Sequence, residues 1–333
     1  MPKIKVIELF GGIGACSRAL DELGIDFEVV DYVEIDEYAV KSYNAINGTK
    51  FKPQDITKWD KNIEADLIMH GSPCQDFSNA GLGLGGDEGS GTRSSLMYET
   101  IRIVKKIKPK YIVWENVKGL LSKDNIHNFN KYIETMEKLG YVNYYQVLNA
   151  KYYGVPQNRD RIFTISIRND VANKEFKFPK QKKSSKRFKD ILEKKVDSKF
   201  YLDTERLKKV NIKEFELDEK SNTNRPLRVG GLYDKVGDMF RSHQAGSIYD
   251  PRGIAPTLST MQGGNREPIV LESMSPLTAR RCTPKECWRL MGFKDKDFKK
   301  ASEGISNHQL YKQAGNSIVV PVLKAIFKEL FNA

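Results

Sequence analysis

Residues 4–14, IKVIELFGGIG, decide the fold. Ile4–Phe10 is rich in apolar and β-branched residues and reads as a strand. The turn Gly11-Gly12-Ile13-Gly14 follows, and a helical pattern then runs to Leu23, with Gly24 as its stop. The alternation continues outward from this unit. Glu28–Glu34 predicts a strand and Asp36–Asn44 a helix. Asp66–His70 predicts a short strand, Leu96–Ile107 a helix and Lys110–Glu115 a strand. Ile126–Leu139 predicts an amphipathic helix stopped at Gly140, and Tyr144–Ala150 and Arg161–Arg168 predict two strands. Strands alternating with helices imply an α/β domain with a mostly parallel sheet. From Phe178 to Ser273 the texture changes to lysines, glycine turns and short strands, which predicts a second, smaller, loop-rich domain. Pro284–Met291 predicts a helix with Thr283 as N-cap, and Val319–Phe331 a final apolar helix.

The 333-residue chain is 39% hydrophobic and 29% charged, a soluble globular composition. No apolar run is long enough to cross a bilayer. The N-terminus enters a strand pattern directly, without a secretory cleavage pattern, so a cytoplasmic protein starting at residue 1 or 2 is expected. The four cysteines match neither a zinc ribbon nor a CxxC pair, so no metal is expected and each is by default a small buried hydrophobe. The net charge is +12. Lys174–Lys213 carries fifteen Lys/Arg against six Asp/Glu, which suits a phosphate backbone and equally a solvated surface.

In an open α/β sheet, ligands gather at the carboxyl ends of the strands. That edge would collect the turn at 11–14, Glu34, Asp55, Ser72-Pro73-Cys74-Gln75 and Glu115-Asn116. The glycine turn alone is a weak signal, since such turns also serve ordinary strand–helix packing. It lacks a third dinucleotide-type glycine, because Ser17 stands there. Glu34, twenty residues beyond Gly14, suits ribose hydroxyls. Together they point to a nucleoside-containing cofactor without a pyrophosphate signature, a description S-adenosylmethionine fits. Cys74 lies in a polar loop, GSPCQDFS, rather than in an apolar run, which weakens the default reading of a buried structural cysteine; a nucleophilic role needs the thiolate form and access. His70, His127, His243 and His308 stand in no cysteine-protease context.

GSPCQDFS, then WENV, QNRDR and QAGNSIVVPV resemble the cytosine-5 DNA methyltransferase family over nearly the whole chain and in the family's order. The resemblance implies a Rossmann-like sheet and S-adenosylmethionine as cofactor, with S-adenosyl-L-homocysteine as product. It implies Cys74 as nucleophile on carbon 6 of cytosine, Glu115 on ring nitrogen 3, and Arg159 and Arg161 steadying the base and the nucleophile loop. Cofactor contacts are expected at Phe10, Gly12, Ile13, Gly14, Glu34, Ile35, Asp55, Ile56, Pro73, Leu96, Asn316 and Ser317. DNA contacts are expected at Gln75, Ser78 and Gln157. Base readers are sought within Arg225–Asn265, among them Arg228, Arg241, His243, Gln244, Tyr249, Arg252, Thr260 and Gln262. Gly81–Gly91 is the expected closing loop. Glu8, Ala15-Cys16, Ile35 and Met97-Tyr98 depart from the family's commonest residues, and Ile35 replaces a tryptophan that some members lay against adenine.

The resemblance also implies a catalytic domain at 1–175, a target-recognition domain at 176–300 and a C-terminal segment, 301–333, returning to the first. Double-stranded DNA is the expected partner of a monomer, with a cognate restriction endonuclease in the same system but no stable complex. Two other readings stay open: a transfer-RNA methyltransferase, against which the PCQDFS context and the lack of a CFT motif argue, and a silent DNA-binding protein on the same fold.

Overall fold

The computed structural model describes residues 2–73, 96–208, 210, 223–232, 245–261 and 266–333. The expected closing loop at 81–91 and Cys74, Gln75, Ser78, Arg241, His243, Gln244 and Gln262 lie outside the described residues. The chain divides into two compact units. Unit 1 holds 1–148, 160–180 and 322–333, and unit 2 holds 149–159 and 181–321. The units part at 180/181 and 321/322, and 149–159 goes with unit 2.

Unit 1 is an α/β layer structure. Its elements are β1 (Ile4–Leu9), α1 (Ala15–Leu23), β2 (Phe27–Val33), α2 (Glu37–Asn47), β3 (Leu67–His70), α3 (Met97–Ile107), β4 (Tyr111–Val117), α4 (Ile126–Lys138), β5 (Tyr141–Asn149) and β6 (Asp160–Arg168). The strand order is β2-β1-β3-β4-β6-β5. β1 runs parallel to β2 and β3, and β3 parallel to β4. β6 then enters antiparallel beside β4, which makes the sheet mixed. Glycines end α1 and α2, since Gly24 and Gly48 sit at φ +68, a left-handed cap that side chains resist. Ile7, Ile68, Ile112 and Trp114 from the sheet pack with Ile101, Val104, Phe129 and Tyr132 from α3 and α4.

The expected strand at Lys110–Glu115 runs on to Val117, because β6 pairs with it residue by residue up to Val117 and Arg161. Glu115 thus lies within a strand. Tertiary pairing overrides the weak strand propensity of Asn116 here.

Unit 2 contains α5 (Thr204–Leu207), β7 (Arg228–Gly231), β8 (Ser247–Tyr249), β9 (Ile269–Met274), β10 (Leu277–Arg281), α6 (Pro284–Leu290), α7 (Asp295–Ala301) and α8 (Asn307–Asn316). α9 (Val320–Phe331) begins there and belongs to unit 1 from Val322 on. The sheet order is β10-β9-β8-β7. Thr283 caps α6 through a reciprocal box with Glu286. Glu286 also accepts both Nη donors of the fully buried Arg280 at 2.8 Å, so neither charge is left unpaired.

Two buried titratable groups in unit 1 pull stability in opposite directions with pH. His70 on β3 stacks on Trp114 (5.6 Å, 7°), and its Nε2 meets the Tyr132 hydroxyl at 3.1 Å. Burial pushes its pKa down to about 3. The unfolded chain binds that proton near pH 6.5, so the stability His70 contributes is complete above 6.5 and is lost as pH falls toward 3. Burial pushes the Glu8 carboxyl up to about 7, so its contribution instead declines as pH rises from about 4.5 to 7. The two offset each other in the intact protein, and a variant separates them. His70→Phe keeps the stack on Trp114. Urea denaturation at pH 7 and pH 5 is expected to show the wild type losing about 1–2 kcal/mol more than this variant over that interval. Equal losses would contradict a neutral buried imidazole.

Candidate active site

The glycine turn is bound to the end of β2 in unit 1. Gly11 N–H donates to Val33 O (3.2 Å) and Gly12 N–H to Glu34 Oε2 (3.1 Å). Glu34 Oε1 accepts from Asp36 N–H at 2.9 Å. Burial raises the Glu34 pKa, against the pull of these N–H donors. Phe10 and Gly12 both sit at φ +53, and a left-handed aromatic residue is a strained feature that tends to occur at ligand sites. Among the described residues nothing lies within 4 Å of where a Gly12 side chain would begin, so a ligand can approach this backbone closely. Ile35, next to Glu34, is 69% exposed, which is unusual for an isoleucine.

Gln54 N–H donates to Glu34 O at 2.8 Å, which brings Asp55 to the same sheet edge. Asp55 caps a short turn there: its Oδ1 accepts from Thr57 N–H (3.0 Å) and Thr57 Oγ1 (2.8 Å), and these donors hold its pKa below the ordinary value. Leu96, just before α3, rests half-buried against the core. Ile13 and Ile56 are expected cofactor contacts, but both side chains are buried. Burial of these apolar side chains leaves the main chains as the part that would meet a ligand.

On the other side of β1, the chain leaving β3 is fastened beside β4. Ser72 Oγ accepts from Trp114 Nε1 (3.1 Å) and from Asn116 Nδ2 (3.4 Å). Pro73 is the last described residue before Cys74. Glu115 is largely buried, and its Oε1 pairs with Arg161 Nε at 3.0 Å. Arg161 faces Val117 in register and reaches Glu115 diagonally, as a long side chain can across neighbouring strands. A largely buried carboxylate gripped by a guanidinium is held to one orientation, the condition for acting on a ring nitrogen.

Unit 2 gathers the other expected residues. Arg159, 3% exposed, donates through Nη1 to Leu258 O (2.9 Å) and through Nη2 to Gly315 O and Ser317 O (both 3.1 Å). Its visible work is to bind three main-chain segments together, including the one that carries Asn316 and Ser317. Gln157, expected at the DNA, is fully buried. Its Nε2 donates to Leu290 O (2.9 Å) and its Oε1 accepts from Leu258 N–H (3.1 Å). Both ends of the amide are thus engaged in the interior, where the side chain acts as an internal clamp. Gly315 explains the glycine of GNS: a side chain there would begin 1.9 Å from Ser259 O and close to the Thr260 backbone.

Arg252 lies against Asp250 through Nε and Nη2 (2.6–3.0 Å) and fixes that turn, so those donors are spent locally. Arg228, bonded to Ser247 Oγ (2.9 Å), lines a cleft of about 300 Å³ together with Asn158, Pro226, Tyr249, Pro256 and Thr257. Tyr32, Tyr43 and Ser17 under the glycine turn have no place among the expected residues. A usable signal was present, since alternation along a strand puts Tyr32 on the same face as Glu34.

A family model described as C-5 cytosine-specific DNA methylase matches residues 4–332. The chain is 34% identical to the orphan methyltransferase M.SPBetaI of Bacillus phage SPbeta, covering 100% of this chain and 98% of that protein. It is 34% identical to the type II methyltransferase M2.ScrFI of Lactococcus lactis subsp. cremoris, covering 99% of each. Among solved structures, the Dnmt2 methyltransferase of S. pombe superposes with a TM-score of 0.72 at 20% identity, over 99% of this chain and 98% of that one, which shows a shared fold. No described helix is long and apolar enough to cross a membrane.

The close approach at Gly315 predicts that Gly315→Ala destabilises the protein by about 3 kcal/mol or more, since the obstructing atoms are backbone. Thermal unfolding of the purified variant checks this, and a melting temperature equal to wild type would contradict the packing.

Proposed function

The chain belongs to the C-5 cytosine-specific DNA methylase family and is a DNA cytosine-5 methyltransferase; from this premise we propose that it methylates a flipped-out cytosine within a specific duplex sequence, using S-adenosylmethionine and a covalent bond to Cys74. One observation carries the reading: Glu115, fixed by Arg161 at 3.0 Å, stands on the strand beside the one that leads to Cys74.

Carbon 5 of cytosine is a poor nucleophile. The Cys74 thiolate adds to carbon 6, forming a carbon–sulfur bond, while Glu115 protonates or holds ring nitrogen 3 and so accommodates the displaced electron pair. The ring becomes an enamine with a nucleophilic carbon 5. After methylation, a base removes the proton from carbon 5, the carbon–sulfur bond breaks and the thiolate is regenerated. Arg161 keeps the Glu115 carboxyl aimed throughout. A stacked base hides these atoms, so the cytosine leaves the helix.

The residues at the sheet edge fit the cofactor. Glu34 offers acceptors for ribose hydroxyls, Ile35 an exposed apolar face for adenine, and Gly12 an open backbone. Phe10, Gly14, Asp55, Pro73 and Leu96, the main chains of Ile13 and Ile56, and Asn316 and Ser317 complete the proposed set. When bound, S-adenosylmethionine supplies a methyl group on a cationic sulfur. Residues 1–175 are the proposed catalytic part, 176–300 the target-recognition part and 301–333 a return to the first. Gln75, Ser78, Arg228, Arg241, Gln244, Arg252, Thr260 and Gln262 are the proposed DNA contacts, with the basic 174–213 stretch on phosphates. The enzyme works as a monomer. An endonuclease of the same system would share its site without a stable complex.

Bisulfite sequencing of duplex DNA incubated with the enzyme and cofactor is expected to reveal one methylated sequence. Glu115→Gln should lower the transfer rate by about 10²–10⁴-fold, and Cys74→Ser should abolish transfer while still binding DNA. Normal turnover in the Cys74→Ser enzyme would remove that thiol from the mechanism.

A further inference from the structure

The turn beneath the proposed cofactor site rests on a polar and aromatic web that the reaction itself does not require. Tyr32 and Tyr43 stack with ring centroids 3.9 Å apart at 26°. Gly11 lies directly on the first ring: a side chain there would begin 2.6 Å from Tyr32 Cε2. Gly14 lies on the second, where it would begin 2.8 Å from Tyr43 Cε2. The glycines of the turn thus serve packing onto two tyrosines as well as open backbone. The web is anchored below by Glu8 on β1, which accepts from Ser17 Oγ and from Tyr43 OH (3.1 Å). Ser17, standing where a dinucleotide fingerprint would have its third glycine, is here a hydrogen-bond donor. Above, the Tyr32 hydroxyl donates to Gly12 O at 2.6 Å, while Gly12 N–H donates to Glu34 Oε2 at 3.1 Å. Both peptides flanking the Gly12 Cα are therefore pinned, one by Tyr32 and one by Glu34. A continuous chain runs from Glu8 through Tyr43, Tyr32 and Gly12 to Glu34.

We infer that Tyr32 is a positioning residue, whose hydroxyl holds the Gly12 peptide so that the turn and the Glu34 carboxylate are set for an adenosyl ligand before it arrives. Three features support this. Burial and the nearby carboxylates keep the Tyr32 hydroxyl protonated far above ordinary tyrosine values, so it remains a donor at any working pH. Glycine at φ +53 has many other conformations available, so an unpinned turn would lose that freedom on binding and bind more weakly. The stacked pair supplies a floor that cannot shift without displacing α2, which carries Tyr43. The inference rests on the cofactor reading above.

Tyr32→Phe removes one oxygen and keeps the ring and its stack. Two measurements use this variant and the wild type. The first is amide hydrogen exchange over residues 11–15 without ligand, expected to quicken about tenfold in the variant while the melting temperature changes little. The second is calorimetric titration with S-adenosyl-L-homocysteine, expected to show a Kd raised about tenfold. KM for S-adenosylmethionine should rise in parallel while kcat stays within a factor of two. Unchanged exchange, or faster exchange with unchanged Kd, overturns the inference. So does a variant that only melts earlier, which marks a purely structural hydroxyl. A wild-type chain that fails to bind S-adenosyl-L-homocysteine overturns the cofactor reading and this inference with it. A wild type that binds, beside a variant that binds equally well, overturns the inference alone.

Discussion

The antiparallel entry of β6 beside β4 is the constraint on which the proposed chemistry depends. It pairs Glu115 with Phe163 and Val117 with Arg161, and this register lets the Arg161 guanidinium reach the Glu115 carboxylate at 3.0 Å. A register slip of one residue would turn every side chain of β6 to the opposite face and leave the carboxylate without its cation. A carboxylate this far removed from water is costly alone, so the ion pair both permits Glu115 to sit at the sheet edge and aims it. The same edge holds Ser72 against Trp114 and Asn116, fixing the chain as it approaches Cys74.

Residues 157–161 show how one short stretch can serve different ends. Gln157 and Arg159 belong to unit 2, and their donors go to backbone carbonyls of Leu258, Leu290, Gly315 and Ser317. Arg161 belongs to unit 1 and goes to a carboxylate. Of Gln157, Arg159 and Arg161, the first two thus maintain loop geometry and the third acts directly on a candidate catalytic group. Gly315 fits this picture, since a backbone that must lie against Ser259 admits no side chain.

The alternation of strand and helix in unit 1 was legible because its apolar periods are clean and its helices end at glycines such as Gly24. Glu34 and Glu115 were legible because a sheet's ligand edge is a topological consequence of strand order. The continuation of β4 through Asn116 was not, because it comes from pairing with a strand more than forty residues away. The burial of Gln157 was not legible, because an exposed and a buried amide look alike in sequence and only the surrounding carbonyls decide. The burial of the Ile13 and Ile56 side chains was hidden in the same way: motif position marks proximity to a ligand, whereas burial is set by the core. The tyrosine web was missed because stacking between β2 and α2 is a three-dimensional event, visible in sequence only as the shared face of Tyr32 and Glu34.

In the proposed mechanism a thiol at position 74 works against the carboxyl at 115. The most direct test is to incubate the enzyme and S-adenosylmethionine with duplex DNA carrying 5-fluorocytosine at the methylated position, then digest and map any protein–DNA bond by mass spectrometry. Fluorine blocks removal of the carbon 5 substituent, so a covalent complex should accumulate and map to Cys74. No complex with a DNA that the enzyme otherwise methylates, or a bond mapped to Cys16, Cys282 or Cys287, all buried, would contradict it.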